Sequence, residues 1–420
     1  MDRDTLVAYM RTPIPLGPIG ALRPEALRAE TSFLYRRLGE GRAVLGVGEL
    51  ESAALPVFGT NGRVGDWTFG YFRYDLKDPW HALTSSHGTA ADVPLSRWVV
   101  PRWVVEWTGG EAVLHALPGD AEAARSFGAK LVNEQQNSAS HGQLVWTTRT
   151  TRDEYMRNVA RLMAHIQRGD IYEVNYCVTR EAMDPRFDPF TGFAQLIAIT
   201  DAPFAAFHRS GHRFALCMSP ERFLAFDGDR VIGEPMKGTR PRGRSMAEDD
   251  ALYHELKNDP KERSENIMAL DVMRHDLSQV AAPHSVRVEE LCGIRSFPQI
   301  HQMVSTVAAR IAPDRSPLDV VRAAFPPASM TGAPKRSAMQ LIDATEDGAR
   351  GLYSGTLGYF APDGTADLNV VIRTVLFNAT TGQLTLTTGS ALTAQCDPAQ
   401  EWEECTLKAR TVINALSYAR

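Results

Sequence analysis

The chain has 420 residues, 44% of them hydrophobic and 23% charged, with a formal net charge of −5. That balance describes an ordinary folded protein, large enough for one broad core or two domains. It argues against a dedicated nucleic-acid binder, which would carry a basic face. The five cysteines, Cys177, Cys217, Cys292, Cys396 and Cys405, form no CxxC pair; neither a zinc site nor a disulfide framework is expected, and a reducing compartment fits best.

The opening MDRDTLVAYM carries early acids and no continuous apolar run, so it does not read as a signal peptide. No stretch approaches the roughly 18 apolar residues of a membrane span, and the expectation is a cytoplasmic protein. Residues 1–145 are expected to form a β-rich subdomain, with AVLGVGEL, WTFGYFRYDL, RWVVPRWVVEW and EAVLHAL as short strands. The polar run NEQQNSASHGQ, residues 133–143, is the most linker-like in the chain and sets the boundary to a second region, 146–420.

After that boundary, TRDEYMRNVARLMAHIQRGD places Tyr155, Val159, Met163 and Ile166 at helical spacing and ends near Gly169. IYEVNYCVTREAM then reads as a strand. Further strands follow in FALCMS, RFLAFDG, LGYFAPDGTADLNVVIRTVLF and LTLTTGSAL, often joined as hairpins, and helices are expected near 248–281, 316–324, 333–345 and 398–418. Without regular strand–helix alternation, the pattern predicts an α+β fold with large antiparallel β-sheets and flanking helices. VLGVGELE lacks the third glycine of a dinucleotide loop, TGAPKRSA has the wrong spacing for a P-loop, and no GxSxG elbow is present.

Two segments share a design. Asp259-Pro260 and Asp397-Pro398 each pair an N-cap aspartate with proline at the first helical position, a strong helix start. Glu262 falls where a capping box would place it. Each helix then carries Glu-x-x-Glu, Glu262 with Glu265 and Glu401 with Glu404, and residues three apart share a helix face. Spacing alone leaves two readings: a pair of solvated acidic helix starts, or four carboxylates converging on a hard cation such as Mg²⁺.

Nine stretches lie in an order that resembles the chorismate-utilising enzymes, the family of anthranilate synthase and aminodeoxychorismate synthase large subunits. They are GDIYEVNY, SPERF, PMKGTRPRG, DPKERSENIMALDVMRHDL, FPPASMTGAPK, GLYSGTLGYF, DLNVVIRT, TTGSA and DPAQEWEE, running from residue 169 to residue 404. The resemblance implies antiparallel sheets packed as a sandwich, with 146–420 as the chorismate-binding catalytic region. It implies Glu265 and Glu404 as Mg²⁺ ligands, with Glu262 and Glu401 beside them partly through water, the metal holding the ring carboxylate of chorismate. Arg373 and Tyr353 would bind the enolpyruvyl carboxylate, and Gly389, Ser390 and Ala391 would offer backbone amides. Ser329, Gly238, Thr239 and Lys408 would complete the pocket, and Glu221 would protonate the departing 4-hydroxyl.

Within the family, similar isochorismate and salicylate synthases carry a lysine where this chain has Glu173. Anthranilate synthases usually show alanine where it has Lys237, whereas PMKGT resembles the PIKGT of aminodeoxychorismate synthases. A lysine there has a chemical purpose. Its amine attacks C2 and expels the 4-hydroxyl; ammonia then attacks C4 and expels the lysine, provided neighbouring positive charge, Mg²⁺ or Arg240, keeps the amine neutral. The competing reading pairs Lys237 with one of the glutamates. Gln302 stands where anthranilate synthases carry the histidine linked to pyruvate elimination, with His301 adjacent. Glu173 also replaces the glutamine usual in this branch, and His275 replaces an asparagine.

The stretch shows neither a GxCxG elbow nor the accompanying His-x-Glu, so ammonia is expected from a separate glutaminase subunit in a heterodimer, with a downstream lyase completing 4-aminobenzoate. GELESAA is a faint match to an inhibitor motif, which leaves a tryptophan pocket open. The alternatives are an anthranilate synthase component and a non-catalytic paralogue acting as a scaffold.

Overall fold

A computed structural model describes residues 10–18, 32–37, 41–88, 93–133, 144–200, 202–298 and 300–417. Among these residues, twelve strands form one antiparallel sheet and ten form another. The first runs Thr12–Pro18, Glu111–Ala116, Trp103–Thr108, Arg42–Val47, Ser32–Arg37, Phe204–Ser210, Arg213–Ser219, Thr374–Asn378, Gln383–Thr393, Glu173–Met183 and Gly332–Ala333, with Thr147–Thr148 pairing to the side. The second runs Met236–Pro241, Ile300–Arg310, Arg230–Gly233, Arg222–Asp227, Thr365–Asn369, Thr356–Phe360, Thr68–Phe72, Ser96–Val100 and Glu51–Ala53, with Arg287–Ser296 beside Ile300–Arg310.

Side chains alternate across each strand, so a central strand feeds two cores at once. Phe33 and Tyr35 join Phe69, Tyr71, Leu357 and Tyr359 in a core between the sheets, while Leu34 points the other way into the core under the helices Pro189–Thr200 and Pro398–Ser417. The outer face of the second sheet is covered by Pro260–Ser278 and Pro317–Ala324. The expected α+β architecture, two large antiparallel sheets in a sandwich with flanking helices, is the one observed. Strands from both sides of residue 145 share each sheet: Ser32–Arg37 pairs with Phe204–Ser210, and Thr68–Phe72 with Thr356–Phe360. The predicted linker, apart from Asn133, lies outside the described residues.

The strong helix starts form as expected. Thr151 closes a capping box with Glu154 at the head of Arg152–Arg168, and Gly169 ends that helix in the left-handed region at φ 81°. The single helix expected over 248–281 is broken in two, Met246–Asn258 and Pro260–Ser278, because the residue before a proline is driven from helical to extended backbone, and Asp259 sits at ψ 114°. Asp259 caps the second helix through the amides of Lys261 and Glu262. Glu262 does not close a capping box there; its carboxylate turns toward Arg240 instead, at 3.4 Å. The helix Ala121–Asn133 had no strong start signal in the sequence. All five thiols are buried and unpaired, and no helix among the described residues is long and apolar enough to cross a membrane.

Candidate active site

Lys237 lies on Met236–Pro241, the strand at one end of the second sheet, and Glu173 opens Glu173–Met183 in the first. Their side chains meet where the sheets approach: Lys237 Nζ donates to Glu173 Oε1 at 2.5 Å, with the side chains only 10% and 6% exposed. Burial pulls the pKa of the amine down, but Glu173, Glu265 and Glu221 outweigh burial, and the net shift is upward. Lys237 is therefore held as an ammonium ion, paired to a glutamate. The expectation that Arg240 lowers its pKa does not hold. The Arg240 guanidinium bonds Glu255 at 2.7 Å, Asp259 at 2.8 Å and Glu262 at 3.4 Å, which absorb its charge.

The backbone after Lys237 is bulged, with the register to Ile300–Arg310 shifting between Lys237 and Thr239. Gly238 sits in that bulge at φ 76°, a conformation that favours glycine, and a Cβ there would stand 3.0 Å from Glu262 Oε2. Across the ladder, Gln302 Nε2 donates to Thr239 Oγ1 at 3.2 Å, while the buried Gln302 Oε1 has no hydrogen-bond partner. Neighbouring His301 points to the opposite face of the strand. Its ring nitrogens are engaged there by Ser296 Oγ at 2.8 Å and Asp249 Oδ1 at 3.0 Å.

Glu221 follows the turn after Arg213–Ser219 and is buried. Ser329 Oγ donates to its Oε1 at 2.7 Å. Burial raises its carboxyl pKa to about 7, against the opposing pull of the Ser329 hydrogen bond, Lys237 and the Met236 amide. A carboxyl at that value keeps a proton to give near neutrality. Arg373 has a left-handed backbone at φ 49° and fixes Met218 through its carbonyl at 3.2 Å. Burial lowers the guanidinium pKa, and no ion-pair or hydrogen-bond partner for it is found among the described residues. Tyr353 is buried, with the Cys177 thiol 3.9 Å from its hydroxyl.

Gly389, Ser390 and Ala391 lie on Gln383–Thr393 opposite Cys177, Tyr176 and Asn175. The pairing of this strand to Thr374–Asn378 stops at Leu386, so its later residues have no strand neighbour on that edge among the described residues. A Cβ on Gly389 would stand 2.5 Å from Asn175 Oδ1. Lys408 Nζ reaches the Gly389 carbonyl at 2.9 Å and Glu404 at 2.6 Å, joining the acidic helix to this strand.

The two Asp-Pro helices bring their first turns together. Lys261 Nζ bridges them, 3.1 Å from Glu401 Oε1 and 3.9 Å from Glu265 Oε1. Glu265 and Glu401 are buried, Glu404 is half-exposed, and Glu265 Oε1 has no hydrogen-bond partner. Burial raises the Glu265 pKa to about 7 although Lys237 and Lys261 oppose the rise, and burial followed by Glu404 raises that of Glu401. No ready-made cage of three acidic, histidine or cysteine ligands occurs among the described residues; ammonium groups stand among the carboxylates instead.

Contacts link several of the predicted residues, but none of them ties in the Arg373 side chain. Lys237 interacts electrostatically with Glu173, Glu265 and Glu221, Glu221 holds Ser329, Lys261 bridges Glu265 and Glu401, and Lys408 ties in Gly389. Lys261 is the member that the sequence reading missed. Its signal was available in the lysine that follows Pro260 and stands four residues before Glu265.

The family profile described as chorismate binding enzyme matches residues 48–414. An aminodeoxychorismate synthase of Streptomyces griseus is 43% identical over 273 residues, 64% of this chain and 37% of its own length. A Synechocystis protein named anthranilate synthase component I-like is 33% identical over 356 residues, 84% of this chain and 73% of its own. The chain thus spans little more than a third of the length of the Streptomyces relative and most of the cyanobacterial one. In fold, it superposes on the menaquinone-specific isochorismate synthase of Escherichia coli with a TM-score of 0.78 at 17% identity, covering 97% of this chain and 94% of that one. The matched span contains all the side chains that build the site, and the chain belongs to the family of chorismate binding enzymes.

Proposed function

We propose that the chain is the chorismate-aminating component of an aminodeoxychorismate synthase, which replaces the 4-hydroxyl of chorismate by ammonia to give 4-amino-4-deoxychorismate. The observation that carries this reading is the buried Lys237 between Glu173 and the Glu221–Ser329 pair. Similarity to the Streptomyces enzyme supports it. The Arg373 guanidinium, without a partner among the described residues, suits the enolpyruvyl carboxylate, a role that Tyr353 would share, and the amides of Gly389, Ser390 and Ala391 suit a second carboxylate group. Lys237, as amine, attacks C2 while Glu221 protonates the 4-hydroxyl as it leaves. Ammonia then attacks C4 and frees the lysine.

Glu262, Glu265, Glu401 and Glu404 would hold Mg²⁺. The orphaned Glu265 Oε1 and the ammonium standing between Glu265 and Glu401 mark a place that favours a cation. When bound, Mg²⁺ supplies positive charge for the ring carboxylate of chorismate. Ammonia is assigned to a separate glutaminase subunit in a heterodimer. Gln302 carries no titratable proton beside Thr239, which fits an enzyme that stops at the aminated product and leaves pyruvate elimination to a lyase, on the route to 4-aminobenzoate and folate.

The test incubates the protein with chorismate, Mg²⁺ and ammonium, with and without the lyase, and identifies products by mass. Aminodeoxychorismate is expected alone, and 4-aminobenzoate only with the lyase. Fluorescent anthranilate as the product would overturn the reading. Lys237→Ala should reduce product formation by about 100-fold or more, and full activity would defeat the covalent route. Glutamine should replace ammonium only when the glutaminase is added.

A further inference from the structure

The reading of Lys237 as a nucleophile meets an obstacle in its own geometry, because an ammonium ion has no lone pair with which to attack. The proton must go to a group already in contact with the nitrogen. The charged side chains that face Lys237 are Glu173 from the first sheet, Glu221 from the turn before Arg222–Asp227, Glu265 from Pro260–Ser278 and Glu404 from Pro398–Ser417. Only Glu173 hydrogen-bonds Nζ, at 2.5 Å. Glu221 is engaged by Ser329 and must itself hold a proton for the departing hydroxyl. Glu265 adjoins the Lys261 ammonium, and Glu404 is paired to Lys408.

Glu173 is also held firmly. Its backbone is paired on one side with Thr393 and on the other with Ala333. Gly332, at φ 152°, packs so closely that a Cβ would come within 2.1 Å of the Glu173 carbonyl oxygen. A carboxylate anchored between two strands reaches the lysine from a fixed direction, the preorganisation that proton transfer needs.

We propose that Glu173 is the catalytic proton acceptor for Lys237, forming with it a carboxylate–lysine dyad that spans the two sheets. The inference rests on the covalent role of Lys237. In the first step the N–H bond of the Lys237 ammonium breaks, its proton passes to the Glu173 carboxylate, and the freed electron pair forms the bond to C2. Both ring double bonds shift, and the C4–O bond breaks as Glu221 delivers a proton, releasing water. Ammonia then bonds to C4, both double bonds shift back, and the C2–N bond breaks to return the pair to Lys237. Glu173 returns its proton to the lysine, and the new C4 ammonium gives one to Glu221, so the enzyme regains its starting state. A neutral glutamine at residue 173 could not accept the first proton.

The experiment follows formation of the Lys237 adduct by intact mass in a single turnover with chorismate and Mg²⁺ but no ammonia, between about pH 6 and pH 7, where Glu221 still retains much of its proton. With internal transfer the wild-type rate should be flat in that window. Glu173→Gln must lose the lysine proton to solvent, so its rate should rise about tenfold per pH unit and start about 100-fold lower, with chorismate affinity little changed. Glu173→Asp, which keeps a carboxylate one methylene short, should recover part of the rate and the flat profile. A Glu173→Gln enzyme with wild-type rate and flat profile overturns the proposal, as does a loss confined to chorismate affinity. Absence of any Lys237 adduct in the wild-type protein overturns the covalent reading itself, which separates the two failures.

Discussion

Arg373 carries a charge that the fold desolvates without offering it a counterion. Such a residue is a liability to the empty protein and an asset to one that receives a carboxylate. Arg373→Met should therefore raise the KM for chorismate by about 100-fold, the scale of a lost charge-assisted pair, while the melting temperature stays level or rises. Paired steady-state kinetics and thermal melts distinguish this from a general loss of folding. Glu221 gives a prediction in pH. Its folded pKa is raised to about 7, so the proton it donates is present below that value and lost above it. Turnover should fall about tenfold per unit above about pH 7, and Glu221→Gln should be slow at every pH. By linkage the same shift means that stability declines as pH rises from the ordinary carboxylate range toward 7, and the substitution should flatten that decline. Glu262, Glu265, Glu401 and Glu404 stood out in the sequence by their spacing after the Asp-Pro starts, and Lys237 and Gly238 by a motif that resembles the family's. The partner of Lys237 did not. Glu173 lies 64 residues away on another sheet, and nothing local ties the two.

At the scale of elements, the two Asp-Pro starts do the positioning. An aspartate cap followed by proline fixes where each helix begins, and hence which turn its glutamates occupy. That much could be read directly, although the same proline also divides the helix expected over 248–281. What could not be read is that Lys261 of one helix reaches Glu401 of the other, since that contact depends on strands far from either. Lys261→Met removes the ammonium bridging Glu265 and Glu401. Calorimetry should find Mg²⁺ binding about tenfold tighter once that competitor is gone, and the metal-free protein should melt at lower temperature. The reverse pair of results would mean that the lysine serves as a permanent counterion to the site.

Over the whole molecule, the cooperation between chain halves rests on a buried polar knot as well as on apolar burial. Arg222 bonds Glu234 at 2.6 Å and Asp367 at 3.0 Å, and the Tyr35 hydroxyl donates to Asp367 at 3.0 Å from a residue 332 positions away. Arg222 is 8% exposed, Glu234 6% and Asp367 1% in their side chains. Removing Arg222 takes its guanidinium away from the buried Asp367, while Glu234 keeps Arg295 at 2.5 Å, and Arg222→Met should lower unfolding free energy by about 3–5 kcal/mol, measured by denaturant titration. The sequence showed antiparallel strands and their alternation. The mixing of early and late strands within each sheet leaves no local trace in composition.

That mixing also sets a schedule for the protein's birth. Thr68–Phe72 is synthesised almost 290 residues before the strand that completes its edge, Thr356–Phe360. At roughly 5–20 residues per second, the emerging chain carries an unfinished sheet margin for tens of seconds. A margin of unpaired amides beside Phe69, Tyr71 and Phe72 invites pairing with any neighbouring strand. The wide, long-range sandwich that brings Glu173 to Lys237 thus leaves this margin open until the later strand is made.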